Sequence, residues 1–188
     1  MRCFIAIDLD EEIKADLADL QDQIKQTVDL CKRDCTWVRP EAIHLTLKFL
    51  GDIPDLRSVD LCRVTEEVTR RHAPFSVEVG HVGHFGGRCA KVLWVGAGQT
   101  SAPLSALQSD LAECLDAAGW PQEVRRYSAH LTLCRIRSGK AGFELAKTAK
   151  KYENRTLGRM PVASVTVYQS QLCPEGPQHT PLAHYDLG

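Results

Sequence analysis

The tetrapeptide His-Leu-Thr-Leu occurs twice in this chain, at residues 44–47 and, 86 residues later, at 130–133. Along a strand side chains alternate, so His and Thr share one face and the two Leu share the other. Each copy therefore reads as a strand with one polar face and one face committed to a core. The context repeats too. An 86-residue shift lays Cys3 on Cys89, Ile7 on Leu93, His44 on His130 and Val79 on Val165. Identity beyond the tetrapeptide is slight; the order of elements and their spacing carry the repeat. A chain written this way points to two similar lobes about a pseudo-twofold axis, built from repeats at about 3–84 and 89–169 with one further strand at the C-terminus. Equivalent strands would then face each other across a groove, which is how His44 and His130 would converge.

Both halves read strand, helix, motif strand, helix, strand. Residues 3–8 form an apolar strand. Asp10 offers an N-cap, with Glu11 and Glu12 in the first turn, where the helix dipole favours acids. Ile13, Leu17, Leu20, Ile24 and Val28 follow at helical spacing, predicting a helix over 11–30. A second helix runs from Leu56 to about Arg71 and is stopped before Pro74. Alternation at Phe75, Val77 and Val79 predicts a strand over 75–80, with room to extend to Phe85. The second half has a strand over 89–95, then a helix opened by Ser101 and Pro103 and closed by Gly119. The second motif strand covers 129–136. A weaker helix over 143–152, a strand over 162–167, a Cys173–Pro177 loop and a short strand over 182–187 complete the chain.

At 188 residues this is one domain, or two lobes packed tightly. A net charge of −1 lacks the basic footprint of a long-duplex binder, so a nucleic-acid partner would be met locally. No stretch approaches the roughly 20 apolar residues of a membrane span, and Met1–Asp8 runs into a strand pattern with no leader-like apolar run. The eight cysteines include no CxxC pair and no zinc spacing. Several fall at apolar positions, where Cys acts as a small hydrophobe. Reduced thiols and a cytoplasmic location are the expectation.

An unperturbed imidazole titrates near ~6.5, so two of them supply an acid and a base together. A Thr hydroxyl two residues along can donate to a phosphate oxygen. Two imidazoles and two hydroxyls around one anion suit phosphodiester cleavage: one His activates water, the other protonates the leaving oxygen. The sequence shows no Gly-rich phosphate loop and no carboxylate cluster for Mg²⁺ that competes with this. Two readings stay open beside it. The histidines are recurring strand residues with no joint role, or they are zinc ligands, with Cys134 in reach on a regular strand.

The two motifs, the opening Arg2-Cys3-Phe4-Ile5-Ala6-Ile7, the stretch from His44 to Gly51 and Lys91-Val-Leu-Trp-Val-Gly96 together resemble the 2H phosphoesterases. Within them the likeness is to the bacterial and archaeal RNA 2′,3′-cyclic phosphodiesterases, also called 2′–5′ RNA ligases, and it runs from Met1 to Leu187. The resemblance implies a bilobal α+β fold, with two antiparallel sheets lining a central cleft and helices packed outside. It implies metal-independent opening of an RNA 2′,3′-cyclic phosphate to a 2′-phosphate, with ATP-independent 2′–5′ joining as the related reverse reaction. No cofactor and no metal are expected. The implied partners are RNA with a cyclic phosphate end, or small cyclic nucleotides, met by a monomer with no membrane contact. His44 would be the proton donor and His130 the proton acceptor, with Thr46 and Thr132 holding the phosphate. A nucleotide-binding module that keeps the cleft without turnover is the alternative.

Four further residues are candidates for substrate binding. The family places an Arg after the second motif on phosphate and a Phe after the first near the nucleoside, here Arg135 and Phe49. An Arg fork suits phosphate and a Phe ring suits a base. Each lies five residues past its His, which on a regular strand is the wrong face. A twist or bulge would resolve this; a core Phe and a solvated Arg are the plain alternatives. Lys48 has the parity of His44 and Thr46, which leaves it facing the cleft or exposed. Arg125-Arg126-Tyr127 offers backbone contacts and a stacking ring, or a solvated turn. The family's usual Pro before the second His is Ala129 here, which keeps the chemistry and alters the entry. His72, His81, His84, His179 and His184 lack the Thr partner and read as structural or surface residues.

Overall fold

The computed structural model of the chain describes residues 1–31, 33–123, 126–173 and 176–188. Its strands are β1 (Arg2–Asp8), β2 (Cys35–Trp37), β3 (His44–Asp52), β4 (Phe75–Phe85), β5 (Val92–Ala97), β6 (His130–Ile136), β7 (Thr156–Val162), β8 (Ser164–Cys173) and β9 (Gly176–Asp186). Its α-helices are α1 (Glu11–Thr27), α2 (Arg57–Thr69), α3 (Ala102–Ala117) and α4 (Gly139–Lys151). Local chemistry sets the helix starts. Asp10, Ser101 and Ser138 each accept from a backbone N–H three residues on, the side-chain cap that an N-terminus requires.

Two antiparallel sheets result, ordered β3-β1-β8-β9 and β2-β6-β5-β4-β7. Helices α2 and α3 pack behind the first, α1 and α4 behind the second. The α+β fold with two sheets and outer helices is as the family resemblance implied. The sheets cut across the sequence repeat, however. The strand that closes each repeat crosses over: β4 joins the sheet of β5 and β6, and β8 joins the sheet of β1 and β3. The pseudo-twofold therefore relates β3 to β6, β1 to β5, β8 to β4 and β9 to β7, with each sheet drawing on both halves of the chain.

The 86-residue shift holds for the motif strands alone. In β1 Asp8 stands opposite His44, and in β5 Gly96 stands opposite His130, a spacing of 88. Tyr168 stands beside Phe4 as Phe85 stands beside Val92. Ile7 thus corresponds to Val95, not to Leu93.

Strand β7 was not legible in sequence. Thr156-Leu-Gly-Arg-Met-Pro-Val carries a Gly and a Pro, which argue against a central strand. It lies at a sheet edge, where an exposed Pro161 is tolerated. The other boundaries move by a few residues: α1 ends at Thr27, α4 begins at Gly139, and β9 is much longer than its short apolar signal. Ile5, Ile7, Leu45, Leu47, Leu131 and Leu133 fill the core beneath the sheets. That leaves the opposite faces of β1, β3, β5 and β6 for the cleft.

Candidate active site

Strands β3 and β6 approach each other where the two sheets meet. Each opens on its histidine. Nδ1 of His44 donates to the Ala42 carbonyl at 3.0 Å, and Nδ1 of His130 donates to the Ser128 carbonyl at 2.7 Å. A carbonyl can only accept, so in each ring Nδ1 carries the proton and Nε2 is left with a lone pair. The same backbone device, two residues upstream, sets both tautomers. Ala129 is buried, and its carbonyl accepts from the Ala97 N–H at 3.4 Å. Thr46 stands opposite Ala6 and Thr132 opposite Trp94, on the same faces as the histidines.

Each motif strand then bulges at its second leucine. Ala6 pairs with Thr46 and Ile5 with Lys48, so Leu47 is the extra residue; Trp94 pairs with Thr132 and Leu93 with Cys134, so Leu133 is the extra residue. A bulge inserts one residue and reverses the alternation after it. Phe49 thereby lands opposite Phe4 and Arg135 opposite Val92, on the cleft face with the histidines. Both are exposed. The odd spacing from the motif is thus resolved by paired bulges. Buried Gln21 of α1 donates from Nε2 to the Leu133 carbonyl at 3.1 Å and to the Val38 carbonyl at 2.8 Å, tying the second bulge to the helix beneath it.

The same bulges overturn the parity expected of Lys48 and Cys134. Lys48 falls opposite Ile5 and is 4% exposed, so it faces the core side and not the cleft. Cys134 lies opposite Leu93, fully buried, and takes no place beside Thr132. Tyr127 is also not offered for stacking. Its ring packs against the core and its hydroxyl is sealed from solvent, and burial raises its ionisation well above the ordinary value. Arg126 is exposed, while Arg125 lies outside the described residues.

Burial governs the electrostatics. It is the main reason the His44 imidazole is held down to about 4. The hydrogen bond to Ala42 and the Asp8 carboxylate oppose it; His179 and Arg135 reinforce it. His130 is lowered for the same leading reason, again with Arg135 adding to the effect. One guanidinium therefore acts on both rings. Near neutral pH burial therefore favours the neutral form of both imidazoles, with Nε2 left to accept.

The surroundings of the two rings differ. His44 stacks on Phe4, with centroids 4.7 Å apart, and meets His179 edge-on at 5.3 Å. Asp8 lies opposite it, accepting from Thr166 Oγ1 at 2.8 Å and from the Tyr168 hydroxyl at 2.6 Å. A pocket of about 430 Å³ adjoins His44, lined in part by Asp8, Arg39, Tyr168 and His179. His130 instead meets the edge of Phe85 at 4.9 Å and has Gly96 where His44 has Asp8. His179, which the sequence assigned a structural or surface role, thus belongs to the site. Phe4, Asp8, Trp94 and Tyr168 are also part of it. An acidic Asp8 closing an otherwise apolar first strand was their one sequence signal. Among the described residues, no three His, Cys, Asp or Glu side chains gather as a metal-ligand cluster. All eight cysteines are unpaired, and no described helix is long and apolar enough to cross a membrane.

Comparison with known proteins bears on the family and the fold. A family model for LigT-like phosphoesterases matches twice, over residues 7–94 and 95–179. The RNA 2′,3′-cyclic phosphodiesterase of Methanothermobacter thermautotrophicus is 30% identical, aligned over 100% of this chain and 99% of that protein. That of Aquifex aeolicus is 28% identical, over 90% of each. Among solved structures, TT0787 of Thermus thermophilus superposes with a TM-score of 0.82 at 26% identity, covering 100% of this chain and 98% of the other. E. coli LigT complexed with 3′-AMP shares the fold, with a TM-score of 0.77 at 22% identity, covering 99% of this chain and 97% of that one. The chain belongs to the LigT-like phosphoesterase family.

Proposed function

We propose that this protein is an RNA 2′,3′-cyclic phosphodiesterase that opens the cyclic end to a 2′-phosphate by two-histidine acid–base catalysis. The observation that carries the reading is the matched pair of imidazoles, each with Nδ1 on a backbone carbonyl and Nε2 free, with Arg135 in electrostatic reach of both. His130 Nε2 takes a proton from water as the water oxygen bonds to phosphorus. The bond from phosphorus to the 3′ oxygen breaks, and His44 Nε2 gives that oxygen its proton. A proton returned from His130 to His44 through solvent closes the cycle. Thr46 and Thr132 donate to the nonbridging oxygens, Arg135 to the phosphate charge, and Phe49 offers a ring to the base.

Asp8 supports the direction of transfer. A carboxylate opposite His44 favours its protonated form, and His130 has glycine in that place. Since the His44 imidazole is held down to about 4 in the free protein, it takes its donor proton from solvent as the substrate binds. A phosphodiester anion entering the cleft favours the imidazolium and supplies the proton's counter-charge. One chain provides both histidines, which supports action as a monomer over residues 1–188 as a single unit. Eight unpaired thiols support a reducing compartment, the cytoplasm. Incubating the protein with 2′,3′-cyclic AMP in EDTA tests the activity: 2′-AMP is the expected product. Only 3′-AMP, or loss of turnover with chelator, would exclude this mechanism, and binding without turnover would favour a nucleotide-holding module.

A further inference from the structure

The pseudo-twofold pairs the surroundings of the two histidines residue by residue, and the pairs are unlike. Asp8 stands opposite His44, and Gly96 stands opposite His130. Two residues back on the same face of β1 is Ala6, with Thr166 beside it on β8. The counterpart on β5 is Trp94, with Gly83 beside it on β4. Tyr168, beside Phe4, has Phe85 as its counterpart, beside Val92. Behind His130 the space is taken by rings. A Cβ on Gly83 would run into Trp94, so the indole lies over that glycine, and Phe85 packs 5.3 Å from it. Behind His44 the small Ala6 leaves the same space to polar groups.

The hydrogens of this polar half follow from its acceptors. Thr166 is buried, and its hydroxyl donates to Asp8 Oδ2 at 2.8 Å. The Tyr168 hydroxyl donates to Asp8 Oδ1 at 2.6 Å. An ionised carboxylate only accepts, so both hydroxyl hydrogens are committed to it. Thr166 has no second hydrogen, and its contact with His184 Nδ1 at 3.0 Å is therefore one in which the imidazole donates. His184 stands opposite Thr166 on β9, with Asp186 Oδ1 3.7 Å from its Nε2. A chain thus runs from His184 through Thr166 to Asp8 and is closed on the other oxygen by Tyr168. Burial and the facing carboxylate raise the ionisation of that tyrosine well above the ordinary value, so it stays a donor. Asp8 itself is exposed. Alone, its carboxylate would turn into water; with both oxygens bound it stays on the cleft face. Directly opposed strand residues keep their Cβ atoms ~4.5–5.5 Å apart, which sets the bound carboxylate beside the His44 imidazole.

We propose that Thr166 and Tyr168 are positioning residues for the reaction: by fixing the Asp8 carboxylate they make His44, and not His130, the imidazole that carries the proton when the phosphodiester is bound. The proposal rests on the phosphodiesterase reading and adds to it the residues that give two matched histidines different roles. The other charged and titratable groups around His44 do not make this choice. Arg135 opposes charge on both rings, and His179 opposes it on His44. Arg39 and Glu41, in the pocket that adjoins His44, are exposed and of opposite sign.

The test is the pH dependence of kcat on 2′,3′-cyclic AMP, whose alkaline limb reports the acid in the substrate complex and whose acid limb reports the base. T166V/Y168F should move the alkaline limb down by about one pH unit, the low end for a facing carboxylate because Asp8 is exposed. At a fixed pH on that limb kcat then falls about tenfold. The acid limb, set by His130 opposite a glycine, should stay. T166S in place of T166V, which restores the hydroxyl, should recover part of the displacement. D8N should show the full displacement, and T166V/Y168F added to D8N should show no more. An unmoved alkaline limb in T166V/Y168F, equal movement of both limbs, or a further displacement in the D8N background overturns the assignment. If the double variant fails to fold, Y168F, which removes one oxygen, is read by the same criteria. If the wild type does not turn over cyclic AMP, the phosphodiesterase reading fails instead, and the His44 ring decides the network by itself. Its NMR titration midpoint, identified by its absence in His44→Gln, should fall in T166V/Y168F; an unmoved midpoint overturns the network.

Discussion

Replacing His44 with glutamine is expected to flatten the loss of stability on acidification. In the folded protein this imidazole is held down to about 4, against an ordinary 6.5. Between those values the unfolded chain binds the proton and the folded chain does not, so stability is complete above pH 6.5 and drains as the pH falls toward 4. At ~1.36 kcal/mol per pH unit the whole displacement is worth about 3 kcal/mol, of which about 2 kcal/mol is gone by about pH 5. His130 and His179 are lowered too and pull the same way. Urea unfolding followed by tryptophan fluorescence, at pH 7.5 and pH 5.0, measures this. The difference between wild type and His44→Gln at pH 7.5 reports lost packing on Phe4. The change in that difference between the two pH values isolates the titration. The variant should lose about 2 kcal/mol less than the wild type. Equal losses would refute the reasoning, because His44 would then titrate near its ordinary value as a hydrated ring.

Three further outcomes follow from the site. Arg135→Met should lower kcat/KM on 2′,3′-cyclic AMP about 10- to 100-fold, the value of a charge-assisted hydrogen bond of ~1.5–3 kcal/mol. Arg135→Lys should recover part of it, and in the Met variant the acid limb of the pH–rate profile should move to higher pH, since the cation opposing both imidazoles is gone. Lys48→Met should leave kcat and KM on cyclic AMP close to wild type, because the residue is buried on the core side of its strand; a tenfold loss would place it in the cleft after all. Gly83→Ala should cost ~1–3 kcal/mol in denaturant stability by overpacking and depress turnover, because the added methyl would run into the Trp94 ring; unchanged stability would mean the indole moves aside freely.

The motif histidines, the threonines and most of the element order were legible because they rest on short-range periodicity: an identical tetrapeptide, apolar residues at helical spacing, and caps at Asp10 and Ser101. What the sequence hid depends on pairing. The bulges at Leu47 and Leu133 leave no local mark, so simple alternation sent Lys48 to the cleft and Arg135 away from it. The crossing of β4 and β8 between sheets is likewise set by long-range register, and it is what brings Tyr168 and His179 to His44 from the far end of the chain. Strand β7 was hidden by its own Gly and Pro, which an edge position tolerates.

The central claim is that His44 and His130 act as one unit on one phosphate. Turnover of 2′,3′-cyclic AMP by His44→Ala, His130→Ala and the double variant tests it most directly. Each single variant should fall by ~10²- to 10⁴-fold, and the double variant should be little worse than the poorer single, as for groups that work together. Full activity in either single variant, or losses that simply multiply in the double, would contradict it.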